Sequence, residues 1–464
     1  MKRWWLLFLA LGFVCAAPAL AADVDLLALG ATAPATAGCR SAVRLTFGDR
    51  QVVIHDEACE IPAAQELAVG VPAERLYLVR DLRPLADRLG YAVLYGRRGI
   101  YLALVTDLDG LRLEPDVRLQ PVSQNRVVTV VPPAGKAEPD PVVESVLAEL
   151  QTASYGEYLT ELAGDLPTRY SCTNEVLSAR DLIAGHFTEL GLDTTTPTFN
   201  NFCFDCVNVG GFNVVGVKTG TVRPDEYVLI GAHYDDTSGD PCDTAPGAND
   251  NGSGAAAVLE VARVLAAHDT EASILFVTFG GEEFGMLGSR KFVQNLQAAG
   301  IASNLKGFVV MDMISFYQNT WGASLEGSNG NQAQIDALFE VGGLAGTYTD
   351  LSVDGTYDYW GSDHEPFLDA GLPGVLIIET DWDLDSAYHT VNDTLDRQDL
   401  DYGLEMTRLA AAAVATWAVV VPEPADDDTA DDDTADDDTA DDDSAGDDTA
   451  GDDDDDNDSG GCGC

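Results

Sequence analysis

The sequence predicts an α/β protein: a domain with a central, largely parallel sheet covered by helices on both faces, preceded by a smaller β-rich domain. Three observations lead there. Between residues 142 and 421, near-continuous apolar strands such as YVLIGAH (227–233), SILFVTFG (273–280) and GFVVMDM (307–313) alternate with helical stretches. Strands read as unbroken apolar runs when both faces of their sheet are covered. Residues 23 to 131 instead carry short runs, LYLVRD, YAVLYG and IYLALV, separated by polar turns. Between the two patterns VPPAGKAEPDP is proline-rich and polar, which makes residues 132–141 a linker.

The elements follow in chain order. Residues 1–22 open with two basic residues, continue with an apolar run and end near Ala19-Leu20-Ala21, an A-x-A cleavage site. This is the design of a secretory signal, so a mature chain is expected from about Ala22 or Asp23, and the protein is placed as secreted or at a bacterial cell surface. A lipoprotein signal using Cys15 is disfavoured by the bulk of Val14 before it. PVVESVLAELQ (141–151) and EVLSARDLIAGHFTELGL (175–192) space their apolar residues as helices do, the second closing on Gly191 as a stop. Strands are then expected at NVVGVKTG, YVLIGAH, SILFVTFG, GFVVMDM and GVLIIETD, with helices from about Ser253 to His268 and after Gly288. A last helix, about 402–420, has an apolar run of 13 residues, too short to span a bilayer and suited to a buried packing helix.

Residues 422–464 form an aspartate-rich, period-five repeat that cannot bury apolar surface and is expected to stay disordered. Loose Ca²⁺ association with its carboxylates is a secondary expectation. The terminal GGCGC lacks the apolar span and basic stop of a sorting tail, so anchoring through its cysteines is only a weak expectation. Of the net charge of −53, about −33 remains without the 20 aspartates after Pro424. Such a surface repels nucleic acid and anionic lipid.

Nine cysteines in an exported chain call for an oxidising-compartment reading. Cys39 and Cys59 are a candidate pair. Cys172, Cys203, Cys206 and Cys242 form a second group whose three possible connectivities stay open; the Cys203-Phe-Asp-Cys206 spacing is read as part of a disulfide-bonded loop rather than a redox or zinc motif.

Six histidines make each position informative. His233 closes an apolar strand and His389 sits in YHTVNDT, while Asp250, Glu282, Glu283 and Asp312 fall at strand ends between them. Functional groups of open α/β sheets collect beyond the carboxyl ends of the strands. One acid there is commonly a helix cap, as Asp250 alone could be. Several together repel one another unless cations are present, and few Lys or Arg residues lie nearby. Two imidazoles with three carboxylates suit Zn²⁺, and five ligands suit two ions if one carboxylate bridges. His55, His186 and His268 are given no function.

His233-Tyr-Asp235, PGANDNGSGAAAVLEVAR, FGGEEFGMLGS, MDM, GSDHEPF and YHTVNDT resemble, in order and spacing, the motifs of the secreted bacterial di-zinc aminopeptidases, over about residues 150–421. The resemblance implies a three-layer zinc-exopeptidase-like domain with a mixed, mostly parallel sheet, two Zn²⁺ per chain, and substrates with a free N-terminus. It implies that Asp250 bridges both zincs, that Glu283 and His389 complete one site, and that His233 and Asp312 complete the other. Asp235 would hydrogen-bond the His233 imidazole, Glu282 would act as general base, and Tyr359 would help hold the oxyanion. Ser362, Asp363 and His364 are assigned supporting or packing roles, because adjacent residues do not easily form a relay.

Two other readings stand beside this one: a single-zinc glutaminyl cyclase of the same fold, and a non-catalytic surface protein retaining a peptidase-like domain. The first domain reads as a removable prosegment or a permanent accessory unit, and the chain is expected to be a monomer. Asp381, Asp383 and Asp385 hint at Ca²⁺, though an exposed acidic loop is the plainer reading. Loops decide side-chain specificity, and pattern alone does not build them.

Overall fold

A computed structural model describes residues 138–422, apart from 202, 204, 205, 358 and 360, and before them the strand segments between 23 and 122. The first eight strands are β1 (Asp23–Gly30), β2 (Val43–Phe47), β3 (Arg50–His55), β4 (Gln65–Pro72), β5 (Leu76–Arg80), β6 (Tyr91–Arg97), β7 (Ile100–Val105) and β8 (Arg118–Pro121). They pair into two antiparallel sheets, ordered β2-β3-β1-β4 and β6-β7-β5-β8. Leu26, Val52 and Ile54 from the first sheet share a core with Leu76, Leu78 and Leu102 from the second. The expected signal segment, most of the linker, the tail, Cys15, Cys39 and Cys59 lie outside the described residues.

Helices come next: α1 (Pro141–Leu147), capped by the Asp140 carboxylate on the Val142 amide, then α2 (Thr152–Ala163) and α3 (Glu175–Glu189). Just past α3, Gly191 has φ +76, the left-handed turn its stop role predicts. The strands β9 (Asp193–Thr195), β10 (Thr198–Phe199), β11 (Gly211–Phe212), β12 (Val214–Lys218) and β13 (Arg223–His233) follow. After them come α4 (Gly254–Leu265), β14 (Ala272–Phe279), α5 (Leu287–Ala298), β15 (Leu305–Asp312), β16 (Gly322–Glu326) and α6 (Gln332–Tyr348). The domain closes with β17 (Ser352–Thr356), α7 (Glu365–Asp369), β18 (Gly374–Glu379) and α8 (Leu400–Ala418).

Eight of these strands form one sheet, ordered β17-β16-β18-β15-β13-β14-β12-β9. The four central strands, β18, β15, β13 and β14, run parallel, whereas β12 is antiparallel to β14 and β16 antiparallel to β18. The apolar runs thus mark the parallel centre, and the sheet as a whole is mixed. Side-chain alternation divides the core in two. Val228, Ile230 and Ala232 of β13 enter the larger core with α2, α3, α4, α6 and α8; Leu229 enters the smaller one with α5 and α7. The last helix packs as expected, with Met406, Leu409 and Val414 fully buried. Among the described residues no helix is long and apolar enough to cross a membrane.

The helix expected from Ser253 begins one residue later, after an irregular turn over Ala248–Ser253. Gly247 enters that turn at φ +50, where a Cβ would lie 2.6 Å from Asp236 Cβ and 2.6 Å from the Asp250 carbonyl oxygen. A Cβ on Gly254 would lie 2.7 Å from the Met311 carbonyl, so α4 can approach β15 closely because that position is glycine.

Candidate metal centre

Adjacent parallel strands bring their carboxyl ends to one edge. β13 presents His233 there, its neighbour β15 presents Asp312, and the Gly280-Gly281 turn after β14 presents Glu282 and Glu283. Asp250 comes from the turn before α4. His389 comes from the loop after β18, with a left-handed backbone at φ 56.

These five side chains converge. His233 Nε2 lies 3.3 Å from Asp250 Oδ1 and 3.4 Å from Asp312 Oδ1. His389 Nε2 lies 3.1 Å from Asp250 Oδ2 and 3.1 Å from Glu283 Oε2. Asp250 therefore turns one carboxylate oxygen to each histidine. Two donor triads result, His233/Asp250/Asp312 and Asp250/Glu283/His389, while Glu282 groups with His233 and Glu283.

The donors fit zinc. Ligands about 2.0–2.1 Å from a tetrahedral zinc stand about 3.3 Å from one another, close to the 3.1–3.4 Å between each histidine nitrogen and its two carboxylate oxygens. His233 Nε2, Asp312 Oδ1 and Glu283 Oε1 are buried and take no hydrogen bond, and buried polar atoms normally have one.

The turn carrying Asp250 is held from several sides. Asp393 accepts from the Asn249 and Asp250 amides. The Asn249 side chain donates to Glu379 at 2.8 Å and accepts from the Ser315 amide at 3.0 Å. Asn251 Nδ2 donates to the Met311 carbonyl at 2.9 Å. Arg169, fully buried, donates to the carbonyls of Tyr234, Pro246 and Gly247 and pairs with Asp236 at 3.3 Å. The motifs that carry the resemblance contain Asn249, Asn251 and Asp393, but the sequence reading assigns no role to these residues or to Arg169. Their mark was the polar residue inside a motif, which by itself does not say what it touches.

Charge within the cluster separates the carboxylates. Burial, the largest influence on Asp250, is outweighed by the two imidazoles, which hold it below the usual carboxylate range. Burial pulls His233 down, but Asp312 and Asp250 outweigh it and hold the imidazole well above its ordinary value. For His389 burial is likewise outweighed, first by Glu283. Glu282 moves the other way: burial lifts it well above the usual range, with Glu283, Asp363 and Asp312 adding to the lift against His233.

Asp235 does not hold the imidazole in the expected way. His233 Nδ1 is 3.0 Å from the Asp235 main-chain carbonyl, whereas the carboxylate is 3.8 Å away. That carboxylate accepts instead from the Glu282 amide at 3.1 Å and the Ser171 hydroxyl at 2.8 Å. Both carboxylate oxygens are thus taken by other donors, and the Asp235 carbonyl is left as the acceptor for Nδ1.

Tyr359 is half-buried, and its hydroxyl donates to Asp369 Oδ1 at 3.1 Å. Ser362 donates to Asp312 Oδ2 at 2.6 Å, Asp363 accepts from Ser289, and His364 Nε2 meets Glu326 at 3.1 Å. The three adjacent residues thus point to different partners and form no relay. Asp381 spends its carboxylate on the amides of Gln318, Asn319 and Thr320, and Asp385 pairs with Arg397 at 2.7 Å. The side chain of Asp383 lies outside the described residues. The second cysteine group pairs as Cys172–Cys203 and Cys206–Cys242.

Residues 213–414 match the family model described as Peptidase family M28. Aminopeptidase YwaD of Bacillus subtilis is 30% identical over 207 residues, 44% of this chain and 44% of that protein. Leucine aminopeptidase 1 of Arthroderma otae is 31% identical over 209 residues, 42% of this chain and 56% of that protein. The chain thus spans about half the length of the curated relatives it matches. Among solved structures, LapB of Legionella pneumophila superposes with a TM-score of 0.54 at 19% identity, over 74% of this chain and 99% of that one. The LapA aminopeptidase of Legionella pneumophila gives 0.52 at 19% identity, over 75% and 99%. At that identity the likeness establishes the fold. The segment that carries the cluster, residues 213–414, is thus similar to peptidase family M28.

Proposed function

We propose that this chain is a secreted di-zinc aminopeptidase that removes N-terminal residues from peptides and acts as a monomer. One observation carries the reading: Asp250 turns one carboxylate oxygen to each of two histidine–carboxylate pairs. His233 and Asp312 would hold one zinc, Glu283 and His389 the other, and Asp250 both. Zinc bound there supplies Lewis acidity and makes water a stronger acid.

The chain's own residues then have distinct tasks. Glu282, which groups with His233 and Glu283 beside the two triads, takes a proton from the attacking water and returns it to the departing amine. The main-chain carbonyl of Asp235 accepts from His233 Nδ1–H, which leaves Nε2 free as the donor nitrogen. An oxyanion role for Tyr359 requires its hydroxyl to exchange Asp369 for the substrate oxygen. The segment 23–131 is read as prosegment-like, so trimming it should raise activity.

The test measures zinc per chain by mass spectrometry together with turnover of a panel of aminoacyl p-nitroanilides. Two zincs per chain with release of the N-terminal residue supports the reading. One zinc with cyclisation of N-terminal glutamine favours the cyclase, and absence of both metal and turnover leaves a non-catalytic surface protein.

A further inference from the structure

We propose that Ser171, clamped by the Cys172–Cys203 disulfide, is a positioning residue that sets the placement of Glu282 through Asp235. The inference rests on reading Glu282 as the general base. Ser171 is 4% exposed, and its hydroxyl donates to Asp235 Oδ2 at 2.8 Å. The other carboxylate oxygen, Asp235 Oδ1, accepts the Glu282 amide at 3.1 Å. On its far side the Glu282 carbonyl accepts from the amides of Gly285 and Met286 at 2.7 and 2.8 Å. The backbone that carries Glu282 is therefore tied at both ends, and the tie at its amide runs through Asp235. Asp235 is wholly buried. Without the Ser171 hydroxyl, one of its oxygens loses a donor that water does not replace, and the carboxylate turns away from the Glu282 amide in search of another.

Ser171 is itself fixed. The Arg169 amide donates to both Asp236 carboxylate oxygens at 3.0 Å. Asn201 Nδ2 donates to the Ser171 carbonyl at 2.9 Å, and the Val207 amide donates to the Cys172 carbonyl at 2.8 Å. The Cys172–Cys203 bridge, 31 residues apart in sequence, closes this attachment covalently. Ser171, 64 residues from Asp235 in the chain, thereby reaches the proton-transfer group through one hydroxyl.

The test compares the zinc-loaded full chain with S171A, S171T and C172S/C203S, reading zinc per chain, kcat and KM on an aminoacyl p-nitroanilide, and amide hydrogen exchange in the peptide containing Glu282. S171A should keep its zinc and a KM within about twofold, lose about tenfold in kcat, and exchange faster at Glu282, since small misplacements of a reacting group cost one to two orders of magnitude. S171T, which keeps the hydroxyl, should restore most of kcat, and C172S/C203S should show the same faster exchange. Wild-type kcat or wild-type exchange in S171A overturns the proposal, as does a loss of activity that only follows a loss of zinc. Unchanged exchange in C172S/C203S overturns the clamp. A wild-type chain that holds zinc yet hydrolyses no aminoacyl substrate sinks the peptidase reading instead, and the exchange comparison then decides the positioning by itself.

Discussion

Replacing Asp393 by alanine tests whether the Asp250 turn is held in place from outside the cluster. The Asp393 carboxylate accepts from the Asn249 amide at 2.9 and 3.1 Å, the Asp250 amide at 2.9 Å and Gln398 Nε2 at 3.2 Å. It is 2% exposed, so neither main-chain donor can turn to water instead. Two orphaned buried amides cost about 1–3 kcal/mol each, a loss of about 2–6 kcal/mol. Burial pushes the Asp393 carboxyl up to about 7 despite those two amides. At neutral pH the substitution therefore also removes an unfavourable charge, and the net loss should be near 3 kcal/mol. At about 2–4 °C per kcal/mol for a domain of this size, the melting midpoint falls by about 6–12 °C. Asp250 also loses the anchor that points its two oxygens at different histidines. Zinc affinity, read by competition with a chromophoric chelator, should fall about 10- to 100-fold. A variant with both a wild-type midpoint and wild-type affinity refutes the reasoning.

Other perturbations separate ligands from chemistry. Glu282→Gln should retain its zinc and KM while kcat drops by about 10²–10⁴-fold; parallel loss of metal would make Glu282 a ligand instead. His389→Asn, chosen because asparagine tolerates the left-handed backbone at this position, should reduce zinc from two per chain to one, and an unchanged stoichiometry would remove His389 from the ligand set. Tyr359→Phe should lower kcat about tenfold with little change in KM if its hydroxyl reaches the oxyanion; wild-type turnover would confine it to its bond with Asp369. In metal-stripped protein, burial pushes the Asp363 carboxyl up to about 7, against the pull of His233 and Ser289. The folded chain then keeps a proton that the unfolded chain, with a carboxyl near 3.9, releases, so stability falls as pH rises from about 4 to about 7. Asp363→Asn should flatten that slope in urea titrations, and an identical slope would place the titration elsewhere.

Much of the fold was legible because burial on both faces leaves a direct trace in composition. YVLIGAH, SILFVTFG, GFVVMDM and GVLIIETD correspond to β13, β14, β15 and β18, the parallel centre of the sheet. The segments the pattern left unmarked are those whose stability comes from neighbours. β17 is a five-residue edge strand with a partly exposed pattern, and α6 carries glycines at 342, 343 and 346, each unfavourable to a helix in isolation. They form because β16, β18 and α8 lie beside them.

The sequence by itself determined the donor types and their order, and it placed His233 and Asp312 at the ends of strands, because a strand's last residue is a local fact; Asp250 and His389 come from a turn and a loop instead. Only the tertiary structure decided that Asp250 offers one oxygen to each histidine, that Asp235 serves Glu282 through its carboxylate and His233 through its backbone, and that Tyr359 rests on Asp369. Those facts depend on side-chain direction across segments as distant as Ser171 and Glu282. Such directions are set when buried donors and acceptors must all find partners at once, a condition that belongs to the packed domain and to no single stretch of its chain.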